Sequence, residues 1–292
     1  MTIDAHHHLW RPARGDYGWL DRSIQPALGP ICRDILLPEF RRLAQASGIQ
    51  GSVLVQAAPT EAETRWLLEQ ATGGGGLVLG VVGWTDLAAP DAAERIHELS
   101  QDPWLKGFRP MLQDLPQVDW IAQPALGAGI QAIQDRGLAL DLLVRTEHLP
   151  HALRMLDRHP GLASVIDHAA KPAAHEPDAM RVWAGHIRQL ARETGAFCKV
   201  SGLVTEVPGP SRVGHLQRVV DHLLDSFGPE RLIWGSDWPV CTLACGYDQW
   251  LALSRTLLRS VDPAGLRGIF GANAQRLYRL RPSSAEADQV GT

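Results

Sequence analysis

Short apolar runs alternate with amphipathic segments along almost the whole chain. Each run is nearly continuous in apolar residues, as expected for a strand that is buried on both faces. The first run lies within residues 1–10. The other seven occupy residues 49–56, 77–84, 105–112, 138–144, 162–168, 196–204 and 232–237. The pattern therefore predicts eight β-strands.

The segments between the runs carry apolar residues at helical spacing. Helices are predicted at residues 38–47, 60–71, 90–100, 123–136, 149–158, 178–194 and 211–226, and after the last run at 248–259 and 263–278. Strands and helices that alternate in this order indicate a parallel sheet covered by helices, and eight such units suggest a closed barrel. The predicted fold class is α/β: a single-domain (β/α)8 TIM barrel over residues 1–280, followed by a C-terminal tail at 281–292.

The first strand carries an unusual set of polar residues. Strand periodicity places Asp4, His6 and His8 on one face. The other face is mostly apolar and consists of Ile3, Ala5, His7 and Leu9. Two imidazoles spaced by two on a strand can converge on a metal ion or on a polarised substrate oxygen. The alternative interpretation is a truncated affinity tag or a cluster of surface histidines.

The composition of the chain limits the classes of molecule that it is expected to bind. The chain has 292 residues, with 28 Lys and Arg, 32 Asp and Glu, and a formal net charge of −4. Because both signs are spread along the chain, there is no electrostatic case for nucleic acid or anionic lipid. The N-terminus lacks a signal-peptide pattern, no apolar window is long enough to span a membrane, and the four cysteines lack a disulfide or zinc pattern. We expect a cytoplasmic protein with a small-molecule partner, and either a monomer or a homodimer.

Polar residues concentrate where the predicted strands end. In a TIM barrel the active site forms at the carboxyl ends of the strands. The residues collected there, in strand order, are His6 and His8, Gln56, Trp84 and Asp86, Arg109 and Gln113, Asp141 and Arg145, Asp167, His168 and Lys171, Lys199 and Ser201, and Asp237. The longest irregular segment, residues 11–37, follows the first strand and is the expected lid. Together these positions predict one catalytic cavity.

Five motifs in barrel order resemble the amidohydrolase superfamily. They are Asp4-x-His6-x-His8, Gly107-Phe108-Arg109, Asp167-His168-Ala169-Ala170-Lys171-Pro172, Lys199-Val200-Ser201-Gly202 and Trp234-Gly235-Ser236-Asp237-Trp238-Pro239. More narrowly, the chain is similar to amidohydrolase family 2 and its sugar-acid lactonase branch, which includes fuconolactonase and rhamnonolactonase, and more distantly to pyrone-dicarboxylate lactonase. The resemblance covers the chain from Asp4 to about Tyr278. It implies a hydrolase that acts on a carboxylic ester.

Departures from the superfamily pattern bear on the metal content. Members with two metals carry a bridging lysine at the top of strand four and a histidine at the end of strand five. Here strand four ends in Arg109, and residues 138–144 contain Asp141 but no histidine. A two-metal site is therefore not expected. The remaining set, His6, His8, His168 and Asp237, suffices for one divalent ion, zinc being the expected metal. Because relatives in the lactonase branch can work without metal, metal-free catalysis remains an alternative.

The resemblance also implies roles for individual residues. Asp237 matches the strand-eight aspartate that acts as general base in the superfamily, so we expect it to activate the attacking water. His168 and Arg109 complete the expected catalytic set; without metal, they would have to donate hydrogen bonds to the lactone carbonyl. The expected substrate-binding residues are Arg109, Lys171, Gln56, Trp84, Asp141 and Trp19.

Each supporting residue also has a structural interpretation. Arg109 can pair with Asp141 or Asp86 instead of with substrate. Lys171 and Lys199 can both form structural ion pairs. Ten tryptophans in one chain also fit a generally aromatic core, so any one of them can serve packing alone.

The expected reaction is the hydrolysis of a sugar-acid lactone, of the L-fucono-, L-rhamnono- or galactono-lactone type, to the aldonic acid. A decarboxylase or an amide hydrolase of the same superfamily would use the same His-x-His frame. A barrel that only binds sugar acids would keep Arg109 and the tryptophans but would have no need of Asp237. The sequence does not determine which sugar lactone or which ring size is used.

Overall fold

The predicted strands form one parallel sheet in the order β1 to β8. The computed structural model describes residues 1–207, 209 and 212–281. The strands are β1 Ile3–His7, β2 Gly51–Val55, β3 Val78–Gly83, β4 Leu105–Phe108, β5 Ala139–Leu142, β6 Ser164–Ile166, β7 Phe197–Val200 and β8 Leu232–Trp234. Every neighbouring pair is parallel, as the alternation of strands and helices predicts.

Helices connect successive strands and cover the sheet. They are α1 Leu37–Ala46, α2 Glu61–Thr72, α3 Ala92–Leu99, α4 Gly127–Asp135, α5 Leu149–Arg158, α6 Pro177–Glu193, α7 Leu203–Glu206, α8 Arg212–Phe227, α9 Tyr247–Leu257, α10 Pro263–Arg267 and α11 Asn273–Tyr278. Within the described ranges, none of them has the length and apolar character needed to cross a membrane. The predicted tail at 281–292 lies outside the described residues except for Arg281.

The chain just beyond β8 closes the sheet against β1. The Asp237 N–H donates to the His6 carbonyl oxygen at 2.7 Å, and the His8 N–H donates to the Trp238 carbonyl oxygen at 2.7 Å. These bonds join the first and last strands, and they confirm the predicted TIM barrel. They also bring the histidines of β1 beside Asp237, although the two segments lie at opposite ends of the sequence.

The core has an interior layer and an outer layer. Inside the barrel, apolar side chains pack against Tyr278 and Leu277 of α11; they are Ile3, Ala5, Val53, Val55, Leu79, Val82, Ala139, Val165 and Ile233. The outer layer lies between strands and helices and contains Trp234 and Trp250, both fully buried. Because α11 packs against this interior layer, the barrel interior is left open towards the carboxyl ends of the strands, where TIM-barrel active sites form.

Two sequence-based expectations require correction. The seventh run does not continue as a strand to 204: β7 ends at Val200, and Leu203–Glu206 is helical. Gly202, with φ of 64°, turns the chain between them, and a short apolar run does not distinguish a strand from a buried helix.

The second correction concerns Asp4, which does not share a face with His6 and His8. Its carboxylate accepts the Tyr247 hydroxyl of α9 at 2.9 Å and so points to the outer layer, whereas Ile3 and Ala5 point into the barrel. The pairing of β1 with β2 is irregular between Asp4 and His7, which interrupts the strict alternation of the strand.

Candidate active site

A cavity of about 330 Å³ opens at the carboxyl ends of the strands. It is lined by His8, Trp19, Gln25, Ala57, Arg109, Met111, Gln113, Leu143, Arg145, His168, Lys171, Asp237 and Val240. His8, His168 and Asp237 are each only 4 % exposed, so the reactive groups form the floor of the cavity. This location is the one predicted for a TIM-barrel active site.

Two histidines of the β1 segment converge on one point of the floor. The Nε2 atoms of His6 and His8 lie 3.2 Å apart. His8 Nδ1 lies 2.8 Å from the Val55 carbonyl oxygen, and since a carbonyl can only accept, Nδ1 carries the proton. The Nε2 lone pair of His8 therefore faces Asp237 Oδ1 at 3.3 Å. Two acceptors at this distance require a proton or a cation between them.

Asp237 lies at the centre of the histidine cluster. Its Oδ1 is 3.8 Å from His6 Nε2 and 3.8 Å from His168 Nε2. Burial alone would raise the pKa of the Asp237 carboxyl, but His168, His8 and His6 outweigh it and hold this pKa below its usual value of 3.8. The carboxylate is therefore ionised at neutral pH and available as a proton acceptor.

His168 is presented by a left-handed turn after β6. Residues 168–171 have φ values of 51°, 50°, 59° and 50°, a conformation that L-residues other than glycine rarely adopt. The Lys171 N–H donates to the His168 carbonyl oxygen at 2.9 Å, which closes the turn. His168 Nδ1 lies 2.9 Å from Ser201 Oγ, so Nε2 is the nitrogen directed at Asp237. Strain of this kind is typical of functional segments, where the surrounding structure maintains it.

A fully buried charge network supports the floor from below. Lys199 Nζ lies 2.5 Å from Asp141 Oδ2 and 2.9 Å from Asp167 Oδ1. The Tyr278 hydroxyl donates to Asp141 Oδ2 at 2.8 Å. Burial raises the pKa of Asp141 to about 6, whereas Lys199, His6 and Arg109 overcome burial at Asp167 and lower its pKa. A paired network of this kind fixes the side chains above it.

Arg109 connects this network to the cavity. Its Nη1 lies 3.3 Å from Asp167 Oδ2 and 3.3 Å from His6 Nε2, and its Nη2 donates to the Gln56 carbonyl oxygen. The Nε of Arg109 is buried and has no hydrogen-bond partner among the described residues. Since a buried unpaired donor is unfavourable by about 1–3 kcal/mol, an orphan donor in a cavity wall is a candidate contact for a substrate oxygen.

The loop after β2 is held by a buried carboxylate. Glu63 of α2 is fully buried and accepts the backbone N–H groups of Ala57 and Ala58, at 3.1 and 2.7 Å. The carbonyl oxygen of Ala57 accepts Trp19 Nε1 at 2.7 Å, which ties the 11–37 segment to this loop. Burial raises the pKa of Glu63 to about 8. Glu63 therefore positions two walls of the cavity without contacting it.

The donor set fits one metal ion. His6, His8 and Asp237 form a group whose ligand atoms lie 3.2 to 3.8 Å apart. Ligands of a tetrahedral zinc ion are separated by about 3.3 Å, given zinc–nitrogen bonds of about 2.0–2.1 Å. His6 Nδ1 lies 3.0 Å from Lys199 Nζ and 3.5 Å from Asp167 Oδ1, and these contacts direct Nε2 towards His8 and Asp237. His168 forms a second possible group with His6 and Asp167, and its Nε2 also lies 3.8 Å from Asp237 Oδ1.

The predicted site residues lie at different depths relative to the cavity. Asp237, His168, Arg109, Lys171 and Trp19 line the cavity. Gln56 lies behind Arg109 and donates to its carbonyl oxygen at 2.7 Å, and Asp141 lies below with Lys199. Trp84 lines a neighbouring apolar cavity of about 750 Å³. The geometry favours positioning roles for Gln56 and Asp141 over the predicted substrate contact.

Three residues near the reaction centre had no role assigned to them from the sequence. Asp167 was expected among the polar residues at the strand ends, and the structure shows that it contacts Arg109 and His6. Arg145 was expected in the same group, and it lines the cavity. Glu63 had no signal, because an acidic residue in the first turn of a helix is ordinary in sequence.

Comparisons with known proteins show the family of the chain and agree with the barrel fold. The family model described as amidohydrolase matches residues 3–280. An L-fucono-1,5-lactonase of Burkholderia ambifaria is 40% identical over 99% of both chains, and one of Burkholderia multivorans is 37% identical over 98% of both. A crystal structure of an amidohydrolase from Burkholderia multivorans with bound zinc has a TM-score of 0.90, 36% identity, and covers 96% of this chain and all of that one.

Proposed function

The chain belongs to the amidohydrolase family, and on that premise we propose that it hydrolyses a sugar-acid lactone of the L-fuconolactone type to the open-chain aldonic acid. The observation that carries the proposal is the pair formed by Asp237 and Arg109. The Asp237 carboxylate and the Arg109 guanidinium lie 3.8 and 3.3 Å from the same atom, His6 Nε2. A proton acceptor and an oxyanion donor are thus held side by side, as ester hydrolysis requires.

Asp237 acts as the general base. Its carboxylate accepts a proton from a water molecule as the water attacks the lactone carbonyl carbon. Because the carboxyl has a lowered pKa, it is ionised before the water is bound. When the tetrahedral intermediate collapses, the same carboxyl returns the proton to the ring oxygen, which leaves as the alcohol of the open chain.

Arg109 and His168 stabilise the carbonyl oxygen as it becomes negatively charged. Arg109 Nε has no partner among the described residues, and its other nitrogens are anchored by Asp167 and Gln56. A pre-oriented donor of this kind needs little rearrangement during the reaction. His168 reaches the same space through Nε2, since Nδ1 is engaged with Ser201.

A divalent ion, when bound, would polarise the carbonyl or lower the pKa of the attacking water. His6, His8 and Asp237 would hold it, and the zinc-containing relative supports zinc as the metal. The proposed roles of Asp237 and Arg109 are the same with and without a bound ion.

The test is proton release from a panel of six-carbon and 6-deoxy sugar-acid lactones, measured with the purified protein and after chelation. Asp237→Asn should reduce kcat by about 10²- to 10⁴-fold, since general base catalysis contributes that much. Asp135→Asn, an exposed carboxylate on α4, is the matched control and should retain full activity. Hydrolysis of no lactone above the uncatalysed rate would overturn the proposal.

A further inference from the structure

Three cations line the cavity at increasing distance from its floor. Arg109 is 3 % exposed, the side chain of Lys171 is 17 % exposed, and Arg145 lies at the exposed rim. Among the lining residues that the structure describes, Asp237 is the single carboxylate, and it lies at the floor. The cavity therefore has one carboxylate and one guanidinium at its floor, and only cations, Lys171 and Arg145, as charged lining groups towards its mouth.

The positive charge is least compensated at the rim. Arg109 is paired with Asp167 at 3.3 Å. Lys171 is paired with Glu206 of α7 at 3.5 Å, beyond hydrogen-bond length. The guanidinium of Arg145 has no hydrogen bond or ion pair with any residue in the described part of the chain. An uncompensated cation at the mouth of a cleft attracts anionic ligands.

The backbone is held in a defined conformation at both outer cations, Lys171 and Arg145. Lys171 ends the left-handed turn that carries His168, with φ of 50°, and Pro172 follows it directly. The Arg145 N–H donates to Nδ1 of the buried His148 at 3.2 Å. The two side chains therefore belong to defined positions that follow neighbouring strands, Arg145 after β5 and Lys171 after β6.

We propose that Lys171 and Arg145 form a carboxylate-binding subsite at the mouth of the cavity. This inference rests on the proposed function. The ligand is the carboxylate of a sugar acid, which has two possible sources: the aldonate product, or a lactone that carries a second acid group at its far end. A product carboxylate forms beside the ionised Asp237, which repels it, and the outer cations attract it towards the exit.

The first arm of the test measures inhibition by the aldonate with the neutral lactone as substrate. Arg145→Gln and Lys171→Gln should each raise the inhibition constant by about 5-fold, the upper range for a partly exposed ion pair. That increase should exceed any change in KM for the neutral lactone. Arg154→Gln, an exposed arginine on α5 outside the cavity, is the charge-matched control. The alditol of the same chain length, which lacks the carboxylate, should inhibit the wild type and both variants equally.

The second arm identifies the source of the carboxylate. A monolactone of a sugar diacid is compared with the neutral lactone in the wild type and in both variants. A selective fall in kcat/KM for the acidic lactone assigns the subsite to substrate, whereas a selective rise in the aldonate inhibition constant assigns it to product. If neither value changes, or if aldonate binds no more tightly than the alditol, the subsite does not exist.

Aldonate binding can also be followed by calorimetry without turnover. A protein that opens no lactone but binds aldonate through Arg145 would overturn the proposed reaction and leave the carboxylate subsite intact. Because both partners are partly exposed, the binding should weaken at high ionic strength.

Discussion

Arg109 and Gln56 hold each other by reciprocal hydrogen bonds. The side-chain amide of Gln56 donates to the backbone carbonyl oxygen of Arg109 at 2.7 Å, and the Arg109 guanidinium donates to the backbone carbonyl oxygen of Gln56. Asp167 fixes the same guanidinium from below at 3.3 Å. Arg109 is thus held at three points, and its buried Nε has no hydrogen-bond partner among the described residues.

Replacement of Arg109 should therefore reduce kcat more than it raises KM. Arg109→Met removes the donor, and we expect kcat to fall by about 10²- to 10³-fold, as for other oxyanion donors. Arg109→Lys keeps the charge but loses the planar fork that matches Gln56 and Asp167, so it should recover little activity. Steady-state kinetics on the lactone, with circular dichroism to confirm folding, would test this. Full activity in Arg109→Lys would show that only a point charge is needed.

The sequence was sufficient to predict the barrel fold and the residues at the floor of the cavity. Strand and helix periodicity predicted the order of the elements, and the motifs around His6, His168 and Asp237 predicted residues that the structure brings together. These predictions succeed because each depends on local spacing or on the rule that active sites form at the carboxyl ends of barrel strands.

The sequence did not predict how deeply each polar residue lies relative to the floor of the cavity. Asp141 and Arg145 are four residues apart on the same strand and loop, yet one is buried beneath the floor and the other stands at the rim. Depth depends on how neighbouring strands are staggered, which no single strand reveals. Asp4 was assigned to the wrong face for a related reason, since the irregular register of β1 is a property of its pairing with β2.

The buried pair of Lys199 and Asp141 should matter for stability. Lys199→Met leaves Asp141 and Asp167 without their shared cation, and we expect the free energy of unfolding to fall by about 3–5 kcal/mol. Urea denaturation monitored by tryptophan fluorescence measures this change. In the double variant Lys199→Met/Asp141→Leu one of the two uncompensated charges is also removed, so part of the lost stability should return. A loss below about 1 kcal/mol in the single variant would contradict the argument.

Zinc affinity should depend on the residues of the first donor group. His8→Ala removes one of its three ligands, so zinc binding by chelator-treated protein should weaken by at least about 10-fold. His222→Ala, a half-buried histidine on α8, is the matched control. Calorimetry gives the affinity independently of turnover. Unchanged zinc affinity in His8→Ala would show that the ion binds elsewhere.

Glu63 should make stability depend on pH in an unusual direction. The pKa of this carboxyl is raised by burial from 4.5 to about 8, so the folded protein binds more protons than the unfolded chain between these values. Its contribution to stability is therefore complete below about pH 4.5 and is lost as the pH rises towards 8. Glu63→Gln cannot titrate, and its amide oxygen can still accept from Ala57 or Ala58. The free energy of unfolding of the wild type, relative to Glu63→Gln, should thus decline by a few kcal/mol from pH 4.5 to 8, measured by urea denaturation. A difference that is constant or increases over this range would mean that Glu63 is ionised in the folded protein and that the Ala57 and Ala58 N–H groups fully stabilise the charge.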